Sequence, residues 1–135
     1  DMKRAGAFYR KWHSTATLPE VWKGIESYEG KRSIWLKQDA FVFVIGTDTL
    51  EHAKEVFRIC QASGIKRFGI HHFEEGKVLI EVFGTQSMSV PMIEKGKRLV
   101  EKEYVKKLVS IANRKWKQND QKLNQFNHAL TKGLK

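Results

Sequence analysis

Residues 41–73 constrain the fold more than any other stretch. Phe41 to Ile45 is a continuous apolar run, the pattern of a strand buried on both faces. Gly46-Thr47-Asp48-Thr49 then turns the chain and offers a helix cap. Leu50, Ala53, Phe57 and Cys60 follow at helical spacing as one apolar stripe, and Gly64 is placed to end that helix. Ile65 to Phe73 reads as a second strand. The segment therefore predicts a strand–helix–strand crossover, right-handed because twisted strands feed right-handed helices back onto their own sheet. Glu74-Glu75-Gly76 leads into Val78 to Phe83, which should return as the second arm of an antiparallel hairpin.

The flanking segments are weaker in pattern. Gly6 to His13, with Phe8, Tyr9 and Trp12, reads as a strand. Thr17 caps a helix that carries Pro19 and Glu20 in its first turn, presents Leu18, Val21, Trp22 and Ile25, and stops near Gly30. Ser33 to Lys37 alternates as a strand. Ser87 to Ile93 is a further extended piece, with Pro91 favouring an edge. From Glu101 to about Leu130 the pattern is helical, with Tyr104, Leu108, Ile111 and Ala112 on one stripe and Leu123, Phe126 and Leu130 continuing it. The expected fold is α/β in the α+β sense, a single domain over residues 1–135. A mixed sheet core with two helices would occupy residues 1–93, and a long basic C-terminal helix residues 101–132. The polar stretch from Lys115 to Asp120 breaks a heptad seam, which argues against a coiled-coil use of that helix.

The charge balance speaks to partners. The formal net charge is +10, and from Glu94 onward there are twelve Lys/Arg against four Asp/Glu. Such a surface attracts a polyanion, with salt-dependent binding through counterion release. The lone Cys60 cannot form an internal disulfide, which suits a reducing compartment such as the cytoplasm. The longest apolar run, Ala40 to Gly46, falls far short of the roughly 20 residues that span a bilayer. The opening Asp-Met-Lys-Arg suggests a chain that begins downstream of its natural start. The five histidines show no metal-ligand spacing, so no metal is expected. Gly46 is the only glycine in the turn that follows the apolar strand. A nucleotide-like cofactor would therefore not sit in a glycine-rich Rossmann or Walker turn.

Arg10-Lys11-Trp12-His13 is the most chemically loaded tetrapeptide. It offers two cations for phosphate, an indole that can stack on a base, and an imidazole for proton transfer. Lys66 and Arg67 add cations at a strand start, and Gly69 marks a bulge or a close approach.

The order of these motifs resembles that of a known family. Phe-Tyr-Arg-Lys-Trp-His at residues 8–13 is followed by Thr-Asp-Thr-Leu-Glu-His-Ala-Lys at residues 47–54. Ala-Ser-Gly-Ile-Lys-Arg-Phe-Gly-Ile at residues 62–70, Val82-Phe83-Gly84-Thr85 and Val90-Pro91-Met92 come next. Glu103-Tyr104-Val105, Ala112-Asn113 and a basic helix close the series. The set is similar to the wybutosine-synthesis tRNA(Phe) methyltransferases, which methylate a 7-aminocarboxypropyl-demethylwyosine base beside the anticodon. The resemblance implies a fold outside the Rossmann methyltransferases, S-adenosylmethionine as cofactor and tRNA as partner. It implies Lys11, Trp12 and His13 as catalytic residues, matching the family's Lys-Trp-His. Gly69, Gly84, Thr85, Pro91 and Asn113 would serve the cofactor. Arg10, Lys66, Arg67, Tyr104, Lys106, Arg114, Lys115 and Lys117 would hold RNA. The family's Ser-Cys-Ser-Gly-Arg segment is expected ahead of Asp1. Two positions depart from its pattern: apolar residues fill Phe41 to Val44 where the family has a histidine, and Phe68 replaces a serine. A non-catalytic RNA-binding module on the same scaffold is the alternative.

Overall fold

The computed structural model describes residues 9–134. The chain forms two compact units. One comprises residues up to Gln38 together with Ser87–Trp116. The other comprises Asp39–Gln86 together with residues from Lys117 onward.

In the first unit, helix α1 (Leu18–Glu26) starts at Thr17, whose hydroxyl accepts from the Glu20 backbone N–H. Strand β1 (Ile34–Gln38) pairs antiparallel with β5 (Met88–Glu94), and β5 pairs with the short β6 (Lys97–Arg98). The register puts Trp35 opposite Pro91 and Ile34 opposite Ile93, leaving Met92 as an extra residue. This bulge turns both Met92 and Ile93 into the core, where strict alternation would expose one of them. Val21 and Ile25 of α1 pack there with Val105, Leu108 and Val109 of helix α3 (Lys102–Gly133). Pro91 has no N–H to donate, and β6 reaches only as far as the Met92 carbonyl, which accepts from Leu99 at 2.9 Å. Proline thus sits where its strand has one neighbour, as an edge preference requires.

In the second unit, β2 (Val42–Thr47), β3 (Arg67–Glu74) and β4 (Lys77–Phe83) form a sheet in the order β2-β4-β3, antiparallel at both seams. β2 and β3 are joined through α2 (Leu50–Ala62) and run in the same direction, with the returning hairpin strand β4 between them. Val78, Ile80 and Val82 of β4 face Ala53, Val56 and Cys60 of α2 and Phe126 of α3. The Phe43 and Phe126 rings lie 5.5 Å apart and those of Phe57 and Phe68 5.1 Å apart.

The α+β class expected from the sequence is what the chain adopts, but the strands are split over two antiparallel sheets instead of one mixed sheet. Three further expectations are corrected. The strand over Gly6 to His13 is absent from its described part, since residues 9–13 are irregular. The stretch is tied instead by the Trp12 side chain, whose indole N–H donates to Glu20. β2 is not buried on both faces: Val42 and Val44 are exposed, because helices cover only one side of its sheet. The stripe on α2 is carried by Ala53, Val56 and Cys60, while Leu50 is exposed.

Candidate functional site

Lys11, Trp12 and His13 lie in the irregular stretch that leads into α1. Thr17 and Glu20 have capping-box spacing, in which the glutamate ordinarily reaches back to the cap backbone. Here its carboxylate does something else. One oxygen accepts from the Thr17 hydroxyl at 2.7 Å and the other from the Trp12 indole N–H at 2.6 Å. Such hydrogen bonds to a carboxylate are charge-assisted and short. They hold the Glu20 carboxyl below its ordinary range, the Thr17 hydroxyl contributing most and the Trp12 indole next. The indole is half-buried against the first core.

A second restraint comes from α3. The Asn113 side-chain oxygen accepts from the Ala16 N–H at 3.0 Å, and its amide nitrogen donates to the Ala16 carbonyl at 2.7 Å. Asparagine has a donor and an acceptor in one plane, so a single residue satisfies both backbone groups. His13, between the two restraints, and Lys11, just ahead of the first, are exposed. Arg10 folds its guanidinium over the Tyr9 ring, 4.3 Å from the centroid, and Tyr9 meets Tyr28 edge-on at 5.1 Å. The first unit therefore brings together a fixed indole, an exposed imidazole and cations, the groups needed to stack a base and move a proton.

The other nominated residues divide by environment. In the first unit, Tyr104, Lys106 and Arg114 are exposed on α3, and Lys115 is half-buried. Pro91 is exposed opposite Trp35. In the second unit Lys66, Arg67, Thr85 and Lys117 are exposed, with the Arg67 guanidinium 5.1 Å from the Phe83 ring centroid. Gly69 pairs with Glu81, and a side chain at Gly69 would meet nothing within 4 Å. Gly84 is different: a Cβ there would come within 2.8 Å of the Phe41 ring, so the fold itself fills that space. Gly69 and Thr85 thus lie open, whereas Gly84 and the amide of Asn113 are already used by the protein. An open hollow of about 340 Å³ lined by Glu55, Arg58, Ile59, Gly133 and Leu134 takes in none of these residues.

Sequence reasoning missed Glu20 as a site residue, although its spacing from Thr17 was visible. It also missed that His52 bonds Asp48 one helical turn earlier. That bond raises His52 and lowers Asp48 from their ordinary values. Burial pushes the Cys60 thiol up to about 11, which removes it as a nucleophile at neutral pH. Among the described residues, no group of three or more His, Cys, Asp or Glu stands close enough to hold a metal ion, and no helix is long and apolar enough to cross a membrane.

Two antiparallel α+β units with no glycine-rich phosphate turn, and an indole-bearing segment pinned beside a basic helix, place this chain outside the Rossmann methyltransferases. The family described as Methyltransferase TYW3 matches residues 1–132, and the chain belongs to it. The tRNA wybutosine-synthesizing protein 3 homolog of Mus musculus is 33% identical over 100 residues, which are 74% of this chain and 39% of that protein. The tRNA(Phe) 7-((3-amino-3-carboxypropyl)-4-demethylwyosine(37)-N(4))-methyltransferase of Thermococcus sibiricus is 27% identical over 122 residues, 90% of this chain and 61% of that protein. The structure of the PH1069 protein from Pyrococcus horikoshii superposes with a TM-score of 0.84 at 26% identity, covering 93% of this chain and 63% of that one. The chain spans less than two thirds of the length of each of these three relatives.

Proposed function

We propose that this chain acts in tRNA(Phe) modification, as a methyltransferase on a wybutosine precursor at the purine 3′ of the anticodon. The observation that carries the reading is the double restraint on the Lys-Trp-His segment. Glu20 fixes the Trp12 indole and Asn113 fixes the Ala16 backbone, in a chain matched to the family from residue 1 to 132. An unpaired anticodon loop lets a base be splayed out and stacked on an aromatic ring. On this reading Trp12 stacks the base or walls its pocket. His13 accepts the proton that the ring nitrogen loses as its new bond to the methyl carbon forms. Arg10 and Lys11 hold phosphates beside them. Lys66 and Arg67 in the second unit, and Tyr104, Lys106, Arg114, Lys115 and Lys117 along α3, extend the RNA contacts.

S-adenosylmethionine is the donor this reading requires, and it supplies an electrophilic methyl group when bound. Gly69 and Thr85 are the matched positions that would line it. Asn113 acts by positioning the segment that bears Trp12, and Gly84 by letting Phe41 pack. The cytoplasm, where tRNA circulates, is the compartment that fits.

The test is methyl transfer from labelled S-adenosylmethionine to tRNA(Phe) bearing the 7-aminocarboxypropyl precursor. Trp12→Ala should abolish turnover while circular dichroism stays unchanged. Wild-type turnover in that variant removes the segment from the site. RNA binding with calorimetric silence towards the donor would favour a non-catalytic module instead.

A further inference from the structure

The expected RNA contacts leave out a cluster that only the fold assembles. Segments 30–33 and 95–98, far apart in sequence, together contain Lys31, Arg32, Lys95, Lys97 and Arg98 and no carboxylate. The first unit staples them. The Gly96 N–H donates to the Arg32 carbonyl at 3.1 Å, and the Lys95 N–H donates to the Ser33 hydroxyl at 3.0 Å. The two backbones cross so closely that a Cβ on Gly96 would lie 2.8 Å from the Gly30 carbonyl oxygen. Arg98 is used locally, over the Trp22 ring at 5.1 Å and 3.9 Å from Glu101. Lys31, Arg32, Lys95 and Lys97 are exposed. Glu29 and Glu94 flank the segments, and Glu94 stands opposite Lys97 in the hairpin register.

Two further observations point to a ligand. Lys95 has φ of 48°, the one non-glycine residue with positive φ among those described. It occupies the first position of a two-residue hairpin turn, where asparagine, aspartate or glycine is strongly preferred. A lysine there costs stability, and such a residue points to a use elsewhere. On the sheet beside the staple, Trp35 is 54% exposed, with Lys37 two residues on and Pro91 and Ser89 opposite. All four point away from the core; beyond the bulge Glu94, at the end of β5, is also exposed beside Lys97 and is the one carboxylate of that strand.

We propose that this face binds unpaired RNA: a base stacks on Trp35, while Lys31, Arg32, Lys95 and Lys97 take the phosphates that follow. Lys97 stands opposite Glu94, three residues along β5 from Pro91, the partner of Trp35, and at about 3.3 Å per strand residue that is roughly 10 Å of strand between the indole's pair and the cation's. A groove of cations with an interleaved aromatic is how single strands are held without base readout. The surface is separate in sequence from the Lys-Trp-His segment. It rests on the reading that this chain acts on tRNA, and it gives the tRNA a second foothold.

The experiment measures binding of a fluorescent unpaired 12-nucleotide RNA, and of tRNA, to the full chain across a salt series. Trp35→Ala should weaken binding of the 12-mer about tenfold. Lys95→Asn should weaken it and reduce the slope of log affinity against log salt by about 0.7, the loss of one phosphate contact. Lys95→Asn should also raise Tm, because asparagine tolerates the turn better, and this opposite movement separates a binding role from a folding one. Wild-type affinity and slope in both variants would overturn the proposal, as would failure of the wild-type chain to bind the 12-mer. Self-association abolished by Trp35→Ala, with RNA affinity unchanged, would also overturn it and assign the face to a second copy. Failure of the methyltransferase reading looks different: the wild type would bind RNA and transfer no methyl group.

Discussion

Glu20 sits in the first turn of a helix, where a carboxylate is ordinarily explained by capping and the helix dipole. Its two oxygens are instead divided between Thr17 and Trp12, so the helix start and the indole share one anchor. Removing it should leave the helix formed and the indole loose. Glu20→Ala is expected to lower kcat roughly ten- to a hundredfold, the penalty for a misplaced group, with KM changed less and Glu20→Gln restoring much of the loss. Stopped-flow methyl transfer on both variants checks this. The sign of the pH effect follows from the lowered carboxyl. Its contribution is present above the ordinary glutamate value and is lost as pH falls through the lower folded value. The Trp12 emission, taken as the difference between wild type and Trp12→Phe, should therefore hold steady down to pH 4.5 or so and shift only in stronger acid. A midpoint at or above the ordinary glutamate value would contradict the arrangement.

Among the elements, both long helices and the Phe41 to Phe83 segment were legible because period and punctuation agreed: Thr49 caps α2 and Gly64 follows its end. What could not be read was how strands pair. An apolar run such as Phe41 to Ile45 looks the same whether one face is covered or two, and helices cover only one here. The two-residue strand β6 is too short for any period, and the bulge at Met92 shows only in the register. Of the site, the Lys-Trp-His segment was legible as chemistry, but its restraints were not, since Asn113 lies 97 residues from Ala16. The turns make a prediction at this scale. Gly76 and Gly96 both have positive φ, at 79° and 85°, but only Gly96 is hemmed in by backbone. Gly76→Ala should cost about 1 kcal/mol, the strain of the left-handed region alone. Gly96→Ala should cost clearly more and pull apart the 30–33 and 95–98 segments, which thermal denaturation of the pair would reveal.

At the level of the whole molecule, most of the net charge of +10 falls from Glu94 onward, carried by many separate cations, so affinity for RNA should depend on many weak contacts and fall steeply with salt. Lys106 and Arg114 are exposed on α3, whereas Lys115 is half-buried. Reversing Lys106 and Arg114 together should weaken tRNA binding and flatten the salt dependence by roughly 1.5 in slope, two phosphates lost. An unchanged slope in a filter-binding titration would place the RNA elsewhere.

The bond between Ala16 and Asn113 has a consequence for biosynthesis. A ribosome delivers the tryptophan-bearing segment early and its anchor 97 residues later. Long-range contacts of this kind form slowly and last. A nascent chain stalled before Asn113 would carry every nominated catalytic side chain and still lack one of the two ties that hold them in place, so competence should arrive only with the closing helix.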